Sequence, residues 1–258
     1  MITSRDNETV KLAVKLMTSA KDRKKNRCFV AEGVRLCRDA AESGAKIKQF
    51  LYTAAAAEKY RKDFEKLISV SVSSAELSGG IFDRISDTST PQGFLCIISM
   101  DEEKDRFDVV KGRKYAALEN VQDPSNMGTI LRTAEAFGAD GVLLSSGCCD
   151  VYSPKVVRGS MGAVFRLPVM TVSDFSDAIG KYTDSGINTY ASTPREAVGI
   201  EDVSFADGGI MLIGNEGNGL DEETISRCSQ RVMIRMKGRA ESLNASAAAA
   251  VLLYEMMK

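Results

Sequence analysis

The chain has 258 residues, enough for one large domain or two ordinary ones, and its 44% apolar and 27% charged residues are the balance of a globular protein. Histidine is absent, which excludes Ser-His-Asp and Cys-His nucleophilic sites and argues against a catalytic zinc, so no metal is expected. Net charge is −1, yet residues 1–50 carry 12 Lys and Arg against 6 Asp and Glu, or +6, which leaves −7 for the rest.

In chain order, "NETVKLAVKLMT" has the apolar spacing of a helix. The run "KDRKKNR" that follows is the densest basic stretch. It reads either as a solvated loop or as a contact for a phosphate-rich partner such as nucleic acid, with Lys21, Arg23, Lys24, Lys25 and Arg27 as the binding candidates. "EGVRLCRDAAES" has helical spacing again, and "AAAAEKYRKDFEKLI" predicts a helix with Glu58, Lys62 and Glu65 on its wet side. "IKQFLYT", "ISVSVSS" and "GFLCIISM" predict short strands. Residues 1–100 therefore read as a small α/β domain, and the charged segment over 101–112 as a linker.

From 113 to 258 a second run of α/β units is predicted. Its strands are "YAALE", "GVLLS", "RLPVM", "INTYAS", "GIMLIG" and "RVMIRM". Helices are predicted over Gly128–Phe137, Pro154–Gly159, Phe175–Tyr182, Glu222–Cys228 and Asn244–Met257. Such alternation implies a mostly parallel sheet covered on both faces, with ligands beyond the carboxyl ends of the strands. The six cysteines include no C-x-x-C pair and read as structural or incidental thiols. No membrane-length apolar run and no signal-peptide core is present, so a cytoplasmic location without membrane attachment is expected.

Three strand-exit loops are richer in polar residues than turns require: "NVQDPSNMGTILRTAEAFG", "LIGNEGNGLDEE" and "IRMKGRAESLNASAAAA". Each residue has a plain reading. Ser125, Asn126, Ser242 and Asn244 suit helix caps, Asp123-Pro124 suits a turn, and Gly217 and Gly219 suit tight corners. Arg132 does not fit that reading, since it sits inside an amphipathic helix one turn from the first loop. No G-x-G-x-x-G follows an early strand and no G-x-x-x-x-G-K-[ST] occurs, which disfavours a nicotinamide-dependent oxidoreductase. "GNEGNG" runs into the acidic helix start "LDEE", which would repel a pyrophosphate. A cofactor without phosphate, such as S-adenosylmethionine, suits it better.

Together, and in this order, the three loops resemble the three motifs of the SpoU, or TrmH-like, RNA 2′-O-ribose methyltransferases of the SPOUT class. "SPKVVRGSMGAVFRLPV", "NRCFVAEGVRLCRDA" and "STPQGFLCII" resemble the same family, so the likeness spans nearly the whole chain. The third motif commonly reads I-P-M; here Arg235 stands in place of the proline, between Ile234 and Met236.

This resemblance implies an α/β C-terminal domain with a deep trefoil knot, an N-terminal RNA-binding domain and a homodimer. It implies S-adenosylmethionine held by Gly214, Ile234 and Leu243, and a catalytic group of Arg132, Asn126, Glu216, Ser242 and Asn244. A guanidinium is a poor base, so Arg132 is expected to clamp phosphate or ribose and to stabilise a developing alkoxide. Glu216 is expected either to hold Arg132 or to accept the proton. The implied substrate is ribosomal RNA, with transfer RNA as the alternative. A non-catalytic RNA-binding or ribosome-assembly protein is the competing class. The last helix, with its small residues Ala247–Ala250 and with Leu252, Leu253, Met256 and Met257, is expected to offer the dimer surface.

Overall fold

The computed structural model describes residues 1–101 and 105–258. In chain order the first strands are β1 (Cys28–Glu32), β2 (Ile47–Tyr52), β3 (Ser73–Glu76) and β4 (Phe94–Ser99). They are followed by β5 (Lys114–Leu118), β6 (Gly141–Ser145), β7 (Val169–Val172), β8 (Thr189–Ser192), β9 (Val198–Gly199), β10 (Gly209–Ile213) and β11 (Gln230–Met233). The first helices are α1 (Glu8–Thr18), α2 (Ala20–Asn26), α3 (Val34–Glu42), α4 (Ala54–Lys59), α5 (Arg61–Val70) and α6 (Gly79–Ile85). Then come α7 (Pro124–Ala136), α8 (Pro154–Gly159), α9 (Ala163–Arg166), α10 (Phe175–Asp184), α11 (Glu222–Arg227) and α12 (Ala245–Met257).

The chain folds as two compact units. The first comprises Met1–Asp101 together with Asp150–Arg166, so α8 and α9 belong to it although they lie in sequence beyond β6. Its sheet has the order β1-β4-β2-β3, with β4 antiparallel to both neighbours and β2 parallel to β3. Alternation along the strands sends Phe29, Phe50 and Phe94 into one apolar cluster, and Val30, Leu51 and Leu95 into another. Val157, Val164 and Phe165 of the late helices complete the first cluster.

Several local expectations change here. "KDRKKNR" is not a loop: Ser19 accepts from the Asp22 amide as N-cap, and Arg27, at φ 51, ends α2 in the left-handed region. Arg23 is not available to RNA. It is only 4% exposed, donating through Nε to Asp150 Oδ2 (2.8 Å) and through Nη1 to the Leu16 carbonyl (2.7 Å). "ISVSVSS" begins as the end of α5 and becomes strand only at Ser73, and "RLPVM" begins in α9.

The second unit comprises Glu102–Cys149 and Leu167–Lys258. Its sheet runs β7-β6-β5-β10-β8-β11-β9 with every pairing parallel. The expected α/β class, with a parallel sheet, is therefore present. The central strands β5, β6 and β10 are buried almost throughout because helices cover both faces. Of the expected linker, residues 102–104 lie outside the described residues. Beyond them Phe107 and Val109 pack on the core, and the Phe107 ring stacks on Tyr115 at 5.8 Å. Because the strands are parallel, the loops after β5, β10 and β11 all leave the carboxyl edge of one sheet.

Candidate active site

β5 and β10 are hydrogen-bonded neighbours, so the loops that follow them start side by side. The first begins with Asn120, held at φ 55 while its amide donates to Ser145 Oγ (2.8 Å). Its carbonyl accepts from Asn215 Nδ2 of the second loop (2.7 Å). Pro124 then opens α7 at a position where no amide is needed, and Asp123 caps the helix by accepting from the Ser125 amide (2.6 Å).

The second loop closes on itself, with reciprocal amide–carbonyl bonds between Asn215 and Gly219 (2.9 and 3.0 Å). Gly214 is obligatory there, since a Cβ would overlap the main chain of Gly219 and Leu220.

One side chain ties the three loops together. Asn126 Nδ2 donates to Glu216 Oε1 (3.0 Å), and its Oδ1 accepts from Asn244 Nδ2 (3.0 Å). Glu216 also accepts from the amides of Asp123 (3.2 Å) and Gln122 (3.3 Å). Asn244 spends its own Oδ1 as the cap of α12, accepting from the amides of Ser246 and Ala247. Both ends of each carboxamide are committed, so neither can flip without losing a partner. Partial burial pushes the Glu216 pKa up, but the hydrogen bonds from Asn126 and the backbone outweigh it and hold the carboxyl below its ordinary value. It is a carboxylate at neutral pH and a weak proton acceptor.

The segment 114–254 matches the SpoU rRNA Methylase family, and 7–96 match the MRM3-like substrate binding domain. The chain belongs to the SpoU rRNA methylase family. It is 30% identical over 258 residues to the 23S rRNA (guanosine(2553)-2′-O)-methyltransferase RlmP of Bacillus subtilis, covering 99% of this chain and 98% of that one. To the 23S rRNA (uridine(2479)-2′-O)-methyltransferase of Streptomyces viridochromogenes it is 29% identical, over 89% of this chain and 82% of that protein. Among solved structures, the AdoMet complex of the SpoU methyltransferase AviRb from the same organism superposes with TM-score 0.85 at 26% identity, over 97% of each chain. The AdoMet-bound rRNA methyltransferase of Sinorhizobium meliloti gives TM-score 0.83 at 28% identity, over 99% of this chain and 96% of that one.

Of the site residues expected from the SpoU motifs, the structure joins Asn126, Glu216 and Asn244 directly. Arg132 lies on the exposed stripe of α7 with Ser125 and Thr129, and among the described residues its side chain makes no hydrogen bond or ion pair. It makes no hydrogen bond or ion pair with Glu216, whose oxygens accept from the side chains of Asn126 and Asn215 and from backbone amides. Ser242 and Leu243 are exposed before α12, and Ile234 is half-buried at the end of β11. All six cysteines are free thiols, and burial pushes Cys228 up to about 11, so it stays protonated.

Two residues of this SpoU site escaped the reading of the motifs. Asn215 is the link to Asn120 described above. Glu119, only 4% exposed, accepts from the Asp221 amide (2.8 Å) and from Thr224 Oγ (2.5 Å), which fixes the far end of the second loop. Its burial pushes the carboxyl pKa up, against those two bonds. The signal was present in "YAALEN": a carboxylate directly after an apolar strand rarely goes inside without a partner. Glu119→Ala is expected to lower stability by about 1–3 kcal/mol in denaturant titration, because it leaves the Thr224 hydroxyl and the Asp221 amide unpaired. An unchanged midpoint would show that these bonds hold nothing.

Proposed function

We propose that the protein transfers the methyl group of S-adenosylmethionine to a ribose 2′-hydroxyl of ribosomal RNA, in the cytoplasm and as a homodimer. In this reading residues 1–100 capture the RNA, and the second unit, over 113–149 and 167–258, carries out the transfer and forms the knot that the family resemblance implies. The observation that carries it is the Asn244–Asn126–Glu216 chain, which holds three motif loops together at the carboxyl edge of a parallel sheet. What favours it over a non-catalytic RNA binder is that the two relatives named above are 23S rRNA 2′-O-methyltransferases.

The loops suit the cofactor. From Arg235 to Leu243 the backbone makes no hydrogen bond among the described residues, so its amides and carbonyls are open to a ligand bound mainly through main chain. Gly214, Ile234 and Leu243 would hold it. S-adenosylmethionine supplies a methyl group already activated on a sulfonium. The bond from sulfur to methyl breaks as the bond to the ribose oxygen forms and the hydroxyl proton passes to water, so the chain's task is alignment and charge. Arg132, anchored on α7 with its guanidinium in solvent, clamps the RNA and stabilises negative charge on the attacking oxygen. Asn126 fixes the first turn of α7, and with it the bearing of Arg132. Glu216 braces Asn126 as a carboxylate, and Ser242 offers a hydroxyl to the ribose. Incubation with labelled methyl donor and total RNA tests this reading: label is expected in ribosomal RNA, and none in any RNA would overturn it. Label confined to transfer RNA would replace the substrate.

RNA capture falls to the exposed cations of α2 and its C-cap, namely Lys21, Lys24, Lys25 and Arg27. Neutralising these four is expected to weaken RNA binding and to reduce the log–log salt slope by roughly 0.7–0.9 for each phosphate that is no longer paired with a cation. Filter binding across a salt series measures it, and an unchanged slope would make α2 a plain solvated helix.

The surface that α12 would offer a second copy differs from the one expected. Leu252, Leu253 and Met256 are buried within their own unit. What α12 leaves outside is the stripe Ala247, Val251 and Tyr254, with Tyr254 edge-on to Phe137 at 5.6 Å. Phe137, Val251 and Tyr254 are 38–52% exposed, an apolar face that a second copy would cover. Light scattering is expected to give twice the chain mass for the wild type and one chain mass for Val251→Asp. A dimer that survives the substitution would place the interface elsewhere.

A further inference from the structure

Arg235 is the point where the third loop departs from the SpoU pattern, and it has an unusual setting. The stretch from β11 to α12 contains no helix or strand. Among the described residues its backbone is unbonded from Arg235 to Leu243, and between those two residues the side-chain hydrogen bonds are those of Arg235 alone. Asn244 anchors the far end through Asn126. Arg235 anchors the near end: Nη1 donates to Glu201 Oε1 (2.6 Å) and Nη2 to Asp202 Oδ2 (2.5 Å).

Both carboxylates stand in the 3-10 turn Ile200–Asp202, directly after the edge strand β9. The guanidinium lies close against Gly199, where a Cβ would come within 2.5 Å of Cζ. Gly199 pairs in register with Met233, so the arginine crosses the sheet edge just beyond the last rung of the ladder. Single exposed ion pairs hold little, but here one planar fork spans two acceptors on one turn. A proline would restrict the chain through its own φ and through the residue before it. The arginine restricts the same point from outside.

We propose that Arg235 is a positioning residue for the cofactor loop: clasped by Glu201 and Asp202 across Gly199, it sets the path on which the chain leaves β11, and so the placement of Ile234 and of the open backbone up to Leu243. The inference rests on the assignment of S-adenosylmethionine to that loop.

Calorimetric titration of S-adenosylmethionine into the full chain tests it. Arg235→Ala is expected to raise Kd about tenfold, and Glu201→Gln/Asp202→Asn to do the same, each removing charge-assisted bonds from one clasp. The triple variant should bind no worse than either, since the two changes break one interaction. Arg235→Pro should recover most of the affinity. At saturating cofactor kcat should stay near wild type, with the loss confined to KM, and thermal midpoints should barely move. A Kd within twofold of wild type for Arg235→Ala, or losses that simply add in the triple variant, would overturn the proposal. A wild-type chain that binds no S-adenosylmethionine would instead overturn the function on which it rests.

Discussion

Arg132→Ala is expected to lower kcat by about 10²–10³-fold, the usual cost of removing one donor aimed at developing charge. Its affinity for S-adenosylmethionine should stay within a few-fold of wild type. The division follows from where the residues sit. Arg132 is on the solvent stripe of α7 and makes no bond to either cofactor loop, whereas Gly214, Ile234 and Leu243 belong to the second and third loops. Arg132→Lys should fail nearly as badly, because a point ammonium cannot reproduce a planar fork of donors. Rapid-quench kinetics with calorimetry separates the two quantities. Loss of cofactor binding in Arg132→Ala would show that the loops do not divide the work in this way.

Gly214→Ala is expected to weaken cofactor binding by at least about tenfold, with a drop in stability of roughly 1–3 kcal/mol or more. The added Cβ would overlap the Gly219 carbonyl carbon and the Leu220 nitrogen, and main chain cannot step aside as a flexible side chain can. The loop must open, and the Asn215–Gly219 pair that closes it must stretch. Gly217→Ala is the control in the same loop. Its Cβ would meet only Asn215 Oδ1 at 3.5 Å, an ordinary contact, so affinity should hardly change. Equal losses for the two variants would mean that glycine content, rather than the close approach at Gly214, governs the loop.

The parallel sheet and the three loops were legible because their signals are local. Apolar strands such as "GIMLIG" break into runs of Gly and Asn, and the three motifs resemble the SpoU family in order. The resemblance put Asn126, Glu216 and Asn244 in one catalytic group with Arg132; that the three bond to one another is read only from the structure. What stayed hidden depends on partners distant in sequence. Arg23 looks like one more surface cation until Asp150, 127 residues away, takes it into the core. Nothing local to Pro154–Arg166 says that its apolar residues complete the core of the first unit. Glu216 was expected near Arg132, but the amides of Gln122 and Asp123 lie closer to its oxygens than any cation does. For α12, sequence shows an apolar helix on nearly all sides, and only packing decides that Leu252 faces inward while Val251 faces out.

The central claim, ribose methylation of ribosomal RNA, is tested most directly by mapping 2′-O-methyl groups across all cellular RNA with the protein present, deleted, and restored as Arg132→Ala. The account predicts one ribosomal position that loses its methyl group on deletion, regains it with the wild-type chain and stays unmodified with Arg132→Ala. An unchanged ribosomal map, or a lost mark in transfer RNA alone, would contradict it.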